Sequence, residues 1–288
     1  MTSIAARLPL YVRLTRLDKP VGTLLLLWPT LTALVIASGG APNAMLTVVF
    51  IAGTFLMRSA GCAINDAADA RFDAHVKRTA DRVVARGLVT RREALAVALV
   101  LATGAALLLP FLNAATWQLA LIAVVIAATY PLAKRFFPVP QLYLGIAFSF
   151  GIPMAFAAVL DGVPMVGWML FVANASWVIA YDTEYAMVDR DDDLRLGIRS
   201  SAIFFGRLDV AAVMACYCVY VSLLLYIGRL MGGTWPFYAG CAAAAALAVY
   251  HFFLIRDRSR EGCLRAFRHN NWVGLAVFVG SALDQAVR

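Results

Sequence analysis

The chain has 288 residues, 62% of them hydrophobic and only 15% charged, and its mean hydropathy is +0.78. Soluble domains lie nearer half apolar, so the composition excludes an ordinary soluble domain and reads as an all-α, polytopic membrane protein forming one domain over residues 1–288. The formal charge of +8 would suggest a nucleic-acid partner in a soluble protein; here membrane topology accounts for it, and no nucleic-acid partner is expected.

In chain order, Arg7, Arg13, Arg16 and Lys19 precede a long apolar run, which reads as a retained first helix rather than a cleaved signal. Nine spans are predicted, at 21–39, 44–64, 93–111, 116–134, 140–160, 164–182, 210–230, 234–256 and 270–287. Their connections alternate between short, weakly charged ones and long basic ones. With the N-terminus in the cytoplasm, every Lys and Arg except Arg58, Arg229 and Arg288 falls in a cytoplasmic segment. That asymmetry sets the orientation. The five cysteines form no CxxC pair and no His-Cys spacing, so neither disulfide nor zinc is expected. His75, His251 and His269 read as membrane-edge residues without a ligand role.

Two acidic stretches interrupt this pattern, at the ends of the second and sixth spans: NDAADARFD over 65–73 and YDTEYAMVDRDDD over 181–193. Carboxylates beside hydrocarbon are costly, so two clusters on one side suggest a site. Helical spacing places Asn65, Asp69 and Asp73 on one face, with Arg58 about two turns deeper on that face. Asp182, Asp189 and Asp193 share a face of the second segment, while Asp191 and Asp192 point elsewhere and read as solvated charges. Four carboxylates across one cavity repel unless cations neutralise them, and two Mg²⁺ bridged by a diphosphate meet that need with hard oxygen ligands. Arg58 inside an apolar helix needs an anionic partner, either an aspartate of the first cluster or a substrate carboxylate held bidentately. Lys134 and Arg135, after Tyr130 at the end of the fourth span, read as topological anchors or as holders of a diphosphate. The basic loop from Lys77 to Arg92, Arg78 included, combines both roles. The matching positions of the clusters suggest two parallel four-helix halves plus a ninth helix.

The first acidic run resembles the NDxxDxxxD motif of the intramembrane aromatic prenyltransferases, and the second, continuing to LRLGIRSSAIFFG, resembles their second motif. RLDKPVGTLLLLWPT (16–30), YPLAKRF (130–136) and GIPMAFAAV (151–159) are similar to the 4-hydroxybenzoate polyprenyltransferase branch of this UbiA-type family. The resemblance implies a nine-helix bundle around a central cavity in a bacterial inner membrane, with the site facing the cytoplasm. It implies Mg²⁺-dependent transfer of a polyprenyl group from polyprenyl diphosphate to the ring carbon ortho to the hydroxyl of 4-hydroxybenzoate, in ubiquinone biosynthesis. The bilayer itself is then a partner, through the lipid tail. Asn65, Asp69, Asp73, Asp182, Asp189 and Asp193 are the implied metal residues. Arg135 is an implied active-site cation, Arg58 is expected to hold the aromatic acid, and Lys134, Tyr130 and Arg78 are expected to contact substrate. Two departures stand out. RVVARG (82–87) replaces the family's proline-containing stretch and alters a loop expected to cover the site, and Glu184 replaces a frequent glutamine, adding a charge near the metals. Related acceptors (dihydroxynaphthoate, homogentisate, haem or a chlorophyll precursor) and a cation-coupled transporter are the alternative readings.

Overall fold

A computed structural model describes the backbone of residues 4–288 and their side chains, except those of residues 4–6 and 131–135. The described residues form helices and no strand. The helices are α1 (Ile4–Leu14), α2 (Val21–Ala37), α3 (Ala44–Asp73), α4 (Arg91–Ala106), α5 (Ala114–Phe136), α6 (Pro140–Ser149), α7 (Gly151–Leu160), α8 (Met165–Leu196), α9 (Ser201–Phe205), α10 (Asp209–Leu230), α11 (Trp235–Ile255) and α12 (Arg260–Val287). Among the described residues, six helical stretches are long and apolar enough to cross a membrane, and Val21–Ala37 and Ala114–Tyr130 are shorter apolar helices. Each of the nine predicted spans coincides with helix. The helix α1 was not foreseen. It is tied to the start of α4 by Arg7 and Tyr11, both bonded to Glu93 at 2.9 and 2.6 Å, and by the fully buried Leu14.

Local chemistry sets the helix ends. The Asn43 side chain accepts from the Met45 N–H at 2.8 Å and starts α3, Thr90 caps α4, and Ser259 caps α12, each satisfying N–H groups that a helix start leaves orphaned. The α8 C-terminus closes on Gly197 at φ +66°, whose N–H returns to Asp193 O; only glycine takes that conformation at little cost. The predicted span 140–160 is two helices parted at Phe150. Pro153 has no N–H for the carbonyl four residues back, which breaks the ladder there. Gly151 also lets the chain lie against α2, because a Cβ there would stand 2.2 Å from Thr30 Oγ1.

The helices close into a ring, in which α2 touches α3, α3 touches α5, and α5, α6, α8, α10, α11 and α12 follow in contact until α12 meets α2 again. The core lies on the α8–α10–α12 side, where Trp177 stacks on Tyr220 at 5.5 Å and Tyr181, Tyr217, Phe156 and Phe237 are almost wholly buried. Leu99, Val100, Leu107 and Trp235 are more than two-thirds exposed on the outer surface, a placement that suits hydrocarbon as solvent. At 1.5 Å per residue, α3 and α8, with 30 and 32 residues, are about 45 and 48 Å long against a hydrocarbon core of about 30 Å. Both must project from the bilayer, and both acidic clusters occupy their final turns.

Candidate active site

The ring encloses a cavity of about 1450 Å³. Asn65, Asp69 and Asp73 from α3 and Asp182, Asp189 and Asp193 from α8 all line it, as do Arg58, Arg78, Tyr130, Tyr181 and Tyr185. The helical spacing therefore does what the sequence suggests, bringing two sets of carboxylates to one space. Tyr130 stacks against Tyr143 with centroids 6.4 Å apart. The same cavity reaches apolar walls formed by Gly53 and Met57 of α3 and Trp117, Leu121 and Val124 of α5. Lys134 and Arg135 lie on α5, but their side chains are outside the described residues.

The carboxylates are neutralised by guanidinium groups. Arg78 donates from Nε to both oxygens of Asp189 at 3.0 Å, and from its terminal nitrogens to Asp189 and the Tyr185 hydroxyl. Its guanidinium also lies 4.0 Å from the Tyr185 ring centre. Arg82 pairs with Asp73 at 2.7 Å and with Asp66 at 3.2 Å, and Arg16 bonds both oxygens of Asp66 at 2.8 and 3.0 Å. Burial works against the charge of Arg78, yet Tyr185, Asp189 and Asp73 outweigh it and hold its pKa above the ordinary guanidinium value. Arg82 is balanced alike, burial opposing and Asp73 and Asp66 prevailing. Among the described residues no three acidic, histidine or cysteine side chains converge as a metal cluster. The donor set on the cavity wall consists of carboxylates and one amide, all oxygen donors, which is the chemistry Mg²⁺ takes.

Arg58 differs from these arginines. Its guanidinium lies 5.6 Å from the Phe148 ring centre and against Gly22, where an added Cβ would stand 2.6 Å from Nη2. Its Nε is buried without a hydrogen-bond partner, and no ion pair forms to it among the described residues. Of the two partners weighed for Arg58, the aspartates of the first cluster are thus not the one it meets here.

Three expectations need correction. Asp192 is no solvated bystander: it is buried, paired with Arg260 at 3.0 Å, and accepts from the Lys77 N–H at 3.4 Å. Only Asp191 stands in solvent, its side chain 70% exposed. Glu184 does not add charge beside the metal residues. It faces the opposite side of α8, fully buried, accepting from Tyr217 Oη at 3.0 Å and Asn270 Nδ2 at 2.8 Å. His251 is not a surface residue but wholly buried in the same network, 2.8 Å from Tyr217 Oη and 3.1 Å from His269. Periodicity misled here because α8 is enclosed on several sides, so its second polar face meets other helices rather than water. The residues missed were Asp66, Arg16, Arg82 and Tyr185. Asp66 lay inside the motif but off the four-residue face; its partners come from a loop and a helix end, which spacing does not relate to α3. The RVVARG stretch forms part of the covering loop, sending Arg82 to the acidic cluster while Val83 and Val84 pack beneath.

Comparison with known proteins agrees with this geometry. The model of the UbiA prenyltransferase family matches residues 26–273. A 4-hydroxybenzoate octaprenyltransferase of Cupriavidus metallidurans is 62% identical over 96% of this chain and 94% of its own length. Among solved structures, the apo structure of a UbiA homolog from Aeropyrum pernix superposes with a TM-score of 0.78 at 26% identity, covering 90% of this chain and 97% of that one. A UbiA homolog from Archaeoglobus fulgidus, solved bound to GPP and Mg²⁺, shares the fold with a TM-score of 0.75 at 17% identity over 97% of this chain and 100% of its own. The ring of helices, the two acidic helix ends at one cavity and the match over most of the sequence lead to one conclusion: this chain is a multi-pass membrane protein that belongs to the UbiA prenyltransferase family.

Proposed function

We propose that the protein transfers a polyprenyl group from polyprenyl diphosphate to the ring carbon of 4-hydroxybenzoate ortho to its hydroxyl, in ubiquinone biosynthesis, at the cytoplasmic side of a bacterial inner membrane. The observation that carries this reading is the joint placement of three groups on one cavity: the acidic and amide side chains of α3 and α8, an apolar wall, and an arginine with no carboxylate partner among the described residues. The high identity to a curated 4-hydroxybenzoate octaprenyltransferase supports the substrate pair.

Asn65, Asp69, Asp73, Asp182, Asp189 and Asp193 would hold Mg²⁺, and the homologue with GPP and Mg²⁺ supports that role. Bound there, Mg²⁺ supplies Lewis-acid stabilisation of the departing diphosphate. Arg78 adds positive charge at the same end, where charge builds on the leaving group, and Lys134 and Arg135 would add to it. The allylic C–O bond breaks with its electron pair leaving on the diphosphate, the ring carbon forms the new C–C bond, and the proton that carbon loses passes to the released diphosphate. Arg58, whose Nε has no hydrogen-bond partner among the described residues, orients the acceptor by pairing with its carboxylate. The apolar walls around Met57, Leu121 and Val124 exclude water that would quench an allylic cation, and Tyr130 lies at the junction of the polar and apolar zones.

The test is to incubate purified protein with Mg²⁺ and polyprenyl diphosphates, offering 4-hydroxybenzoate beside dihydroxynaphthoate and homogentisate. A lipid-soluble product from 4-hydroxybenzoate in preference to the others is expected; preference for another acceptor would overturn the substrate assignment, and no product would overturn the reaction.

A further inference from the structure

Asp66 belongs to the first acidic motif, yet it lies one residue off the face shared by Asn65, Asp69 and Asp73, about 100° around the helix. It is 2% exposed. Both its oxygens are engaged by guanidinium groups, and these arrive from two separate segments. Arg16 comes from the turn after α1 and donates to Oδ1 and Oδ2 at 2.8 and 3.0 Å. Arg82 comes from the 74–90 loop, reaches Asp66 at 3.2 Å, and continues to Asp73 at 2.7 Å. The backbone at Arg16 is held at φ +59°, a left-handed conformation that costs energy in a residue other than glycine and persists only where its surroundings impose it. The same residue is locked from the other side, because Arg16 Nη1 donates to Arg13 O at 2.6 Å.

Both arginines line the cavity, and neither is exhausted by these contacts. A guanidinium carries five N–H donors in a planar fork. Among the described residues Nε of Arg16 makes no hydrogen bond, and neither do Nε and Nη2 of Arg82. Two preorganised cations with donors to spare, beside the carboxylates assigned to the metal, match the geometry of a polyanionic phosphate group.

We propose that Asp66 is a positioning residue rather than a metal ligand, fixing Arg16 and Arg82 at the cavity rim so that they grip the diphosphate of the prenyl donor. The inference rests on the prenyl-transfer reading above and adds the grip on the donor. Asp66 acts through the two arginines. Its substitution weakens donor binding and leaves the acceptor and the metal requirement in place.

The test compares Asp66→Asn, Arg16→Gln and the double variant with the wild type, using geranyl diphosphate, 4-hydroxybenzoate and Mg²⁺, each varied in turn. The loss of charge-assisted hydrogen bonds predicts a rise in KM for geranyl diphosphate of about tenfold or more in each single variant. KM for 4-hydroxybenzoate and half-saturation by Mg²⁺ should stay within about twofold, and the double variant should add little, as residues of one network do. Binding of inorganic diphosphate, measured calorimetrically without turnover, should weaken in parallel. Unchanged donor KM and diphosphate binding overturn the proposal, and so does a rise in the Mg²⁺ requirement, which would make Asp66 a ligand. A parallel rise in every constant would make its role merely structural. If Asp66→Asn does not fold, Arg16→Gln decides by the same readings. A wild-type protein that binds inorganic diphosphate but prenylates nothing would defeat the functional reading instead, while the diphosphate measurements on the variants still judge Asp66.

Discussion

Replacing Gly22 by alanine tests the role of Arg58 without touching Arg58. Gly22 is the second residue of α2, and a Cβ there would lie 2.6 Å from Arg58 Nη2, 3.2 Å from Nε and 3.3 Å from Cζ. Ordinary non-bonded contact begins at about 3.5 Å, so the guanidinium must retreat by roughly 1 Å. The obstructing atoms are the end of a flexible side chain, so the helix backbone need not move. Alanine is also the better helix former by about 1 kcal/mol, so the fold should not suffer. A displacement of that size disrupts a bidentate pair, and charge-assisted hydrogen bonds are worth about 1.5–3 kcal/mol. The expected result is a rise in KM for 4-hydroxybenzoate of roughly 10- to 150-fold, with KM for geranyl diphosphate and the unfolding temperature near wild type. Steady-state assays at saturating donor, with acceptor varied, give the answer. An unchanged acceptor KM in Gly22→Ala, with Arg58→Ala behaving alike, would refute the assignment of Arg58 to the acceptor carboxylate.

Other outcomes follow from the packing and the site. Asp69→Ala and Asp193→Ala should abolish turnover while each protein elutes and unfolds like the wild type; near-normal Mg²⁺-dependent activity in either would remove that residue from the metal set. Glu184→Leu withdraws the acceptor of Asn270 Nδ2 and the partner of Tyr217, and should destabilise the protein by about 1–3 kcal/mol, seen as earlier thermal unfolding, whereas Glu184→Gln keeps both contacts and should unfold near wild type. Gly280→Leu should force α11 and α12 apart, because a Cβ at Gly280 already meets backbone, Gly240 Cα and Pro236 O, at 2.9 Å. The expected cost is about 1–3 kcal/mol, and an unchanged unfolding temperature would contradict the close crossing.

Much of this architecture is legible in the sequence for identifiable reasons. Apolar runs long enough for a bilayer mark the helices, and the four-residue steps of Asn65, Asp69 and Asp73 mark a face that turns out to line the cavity. The limits are equally physical. The pairing of Asp189 with Arg78, and of Asp66 with Arg16 and Arg82, depends on how a loop and a helix end return to α3 and α8, and local periodicity carries no such information. Glu184 and His251 were misplaced because polar residues in a helix end imply water only where neighbouring helices are absent. Here Tyr217, Trp177 and Asn270 supply the partners instead, with Trp177 Nε1 donating to Asn270 Oδ1 at 2.7 Å and Tyr217 Oη lying 2.8 Å from the same oxygen. Asp192 was misjudged for the same reason, its counterion Arg260 being 68 residues away in sequence.

The arginine contacts also give the acidic site a physical state. Carboxylates gathered at one cavity repel unless cations stand between them. Arg78 and Arg82 meet that need from the 74–90 loop.

Prenyl transfer of the proposed kind forms a carbon–carbon bond at one ring position. Purified protein supplied with Mg²⁺, geranyl diphosphate and ring-deuterated 4-hydroxybenzoate should yield a prenylated acid that has lost one deuterium, the one ortho to the hydroxyl. A product retaining every ring deuterium, formed by prenylation of oxygen, or the absence of any prenylated product, would contradict it.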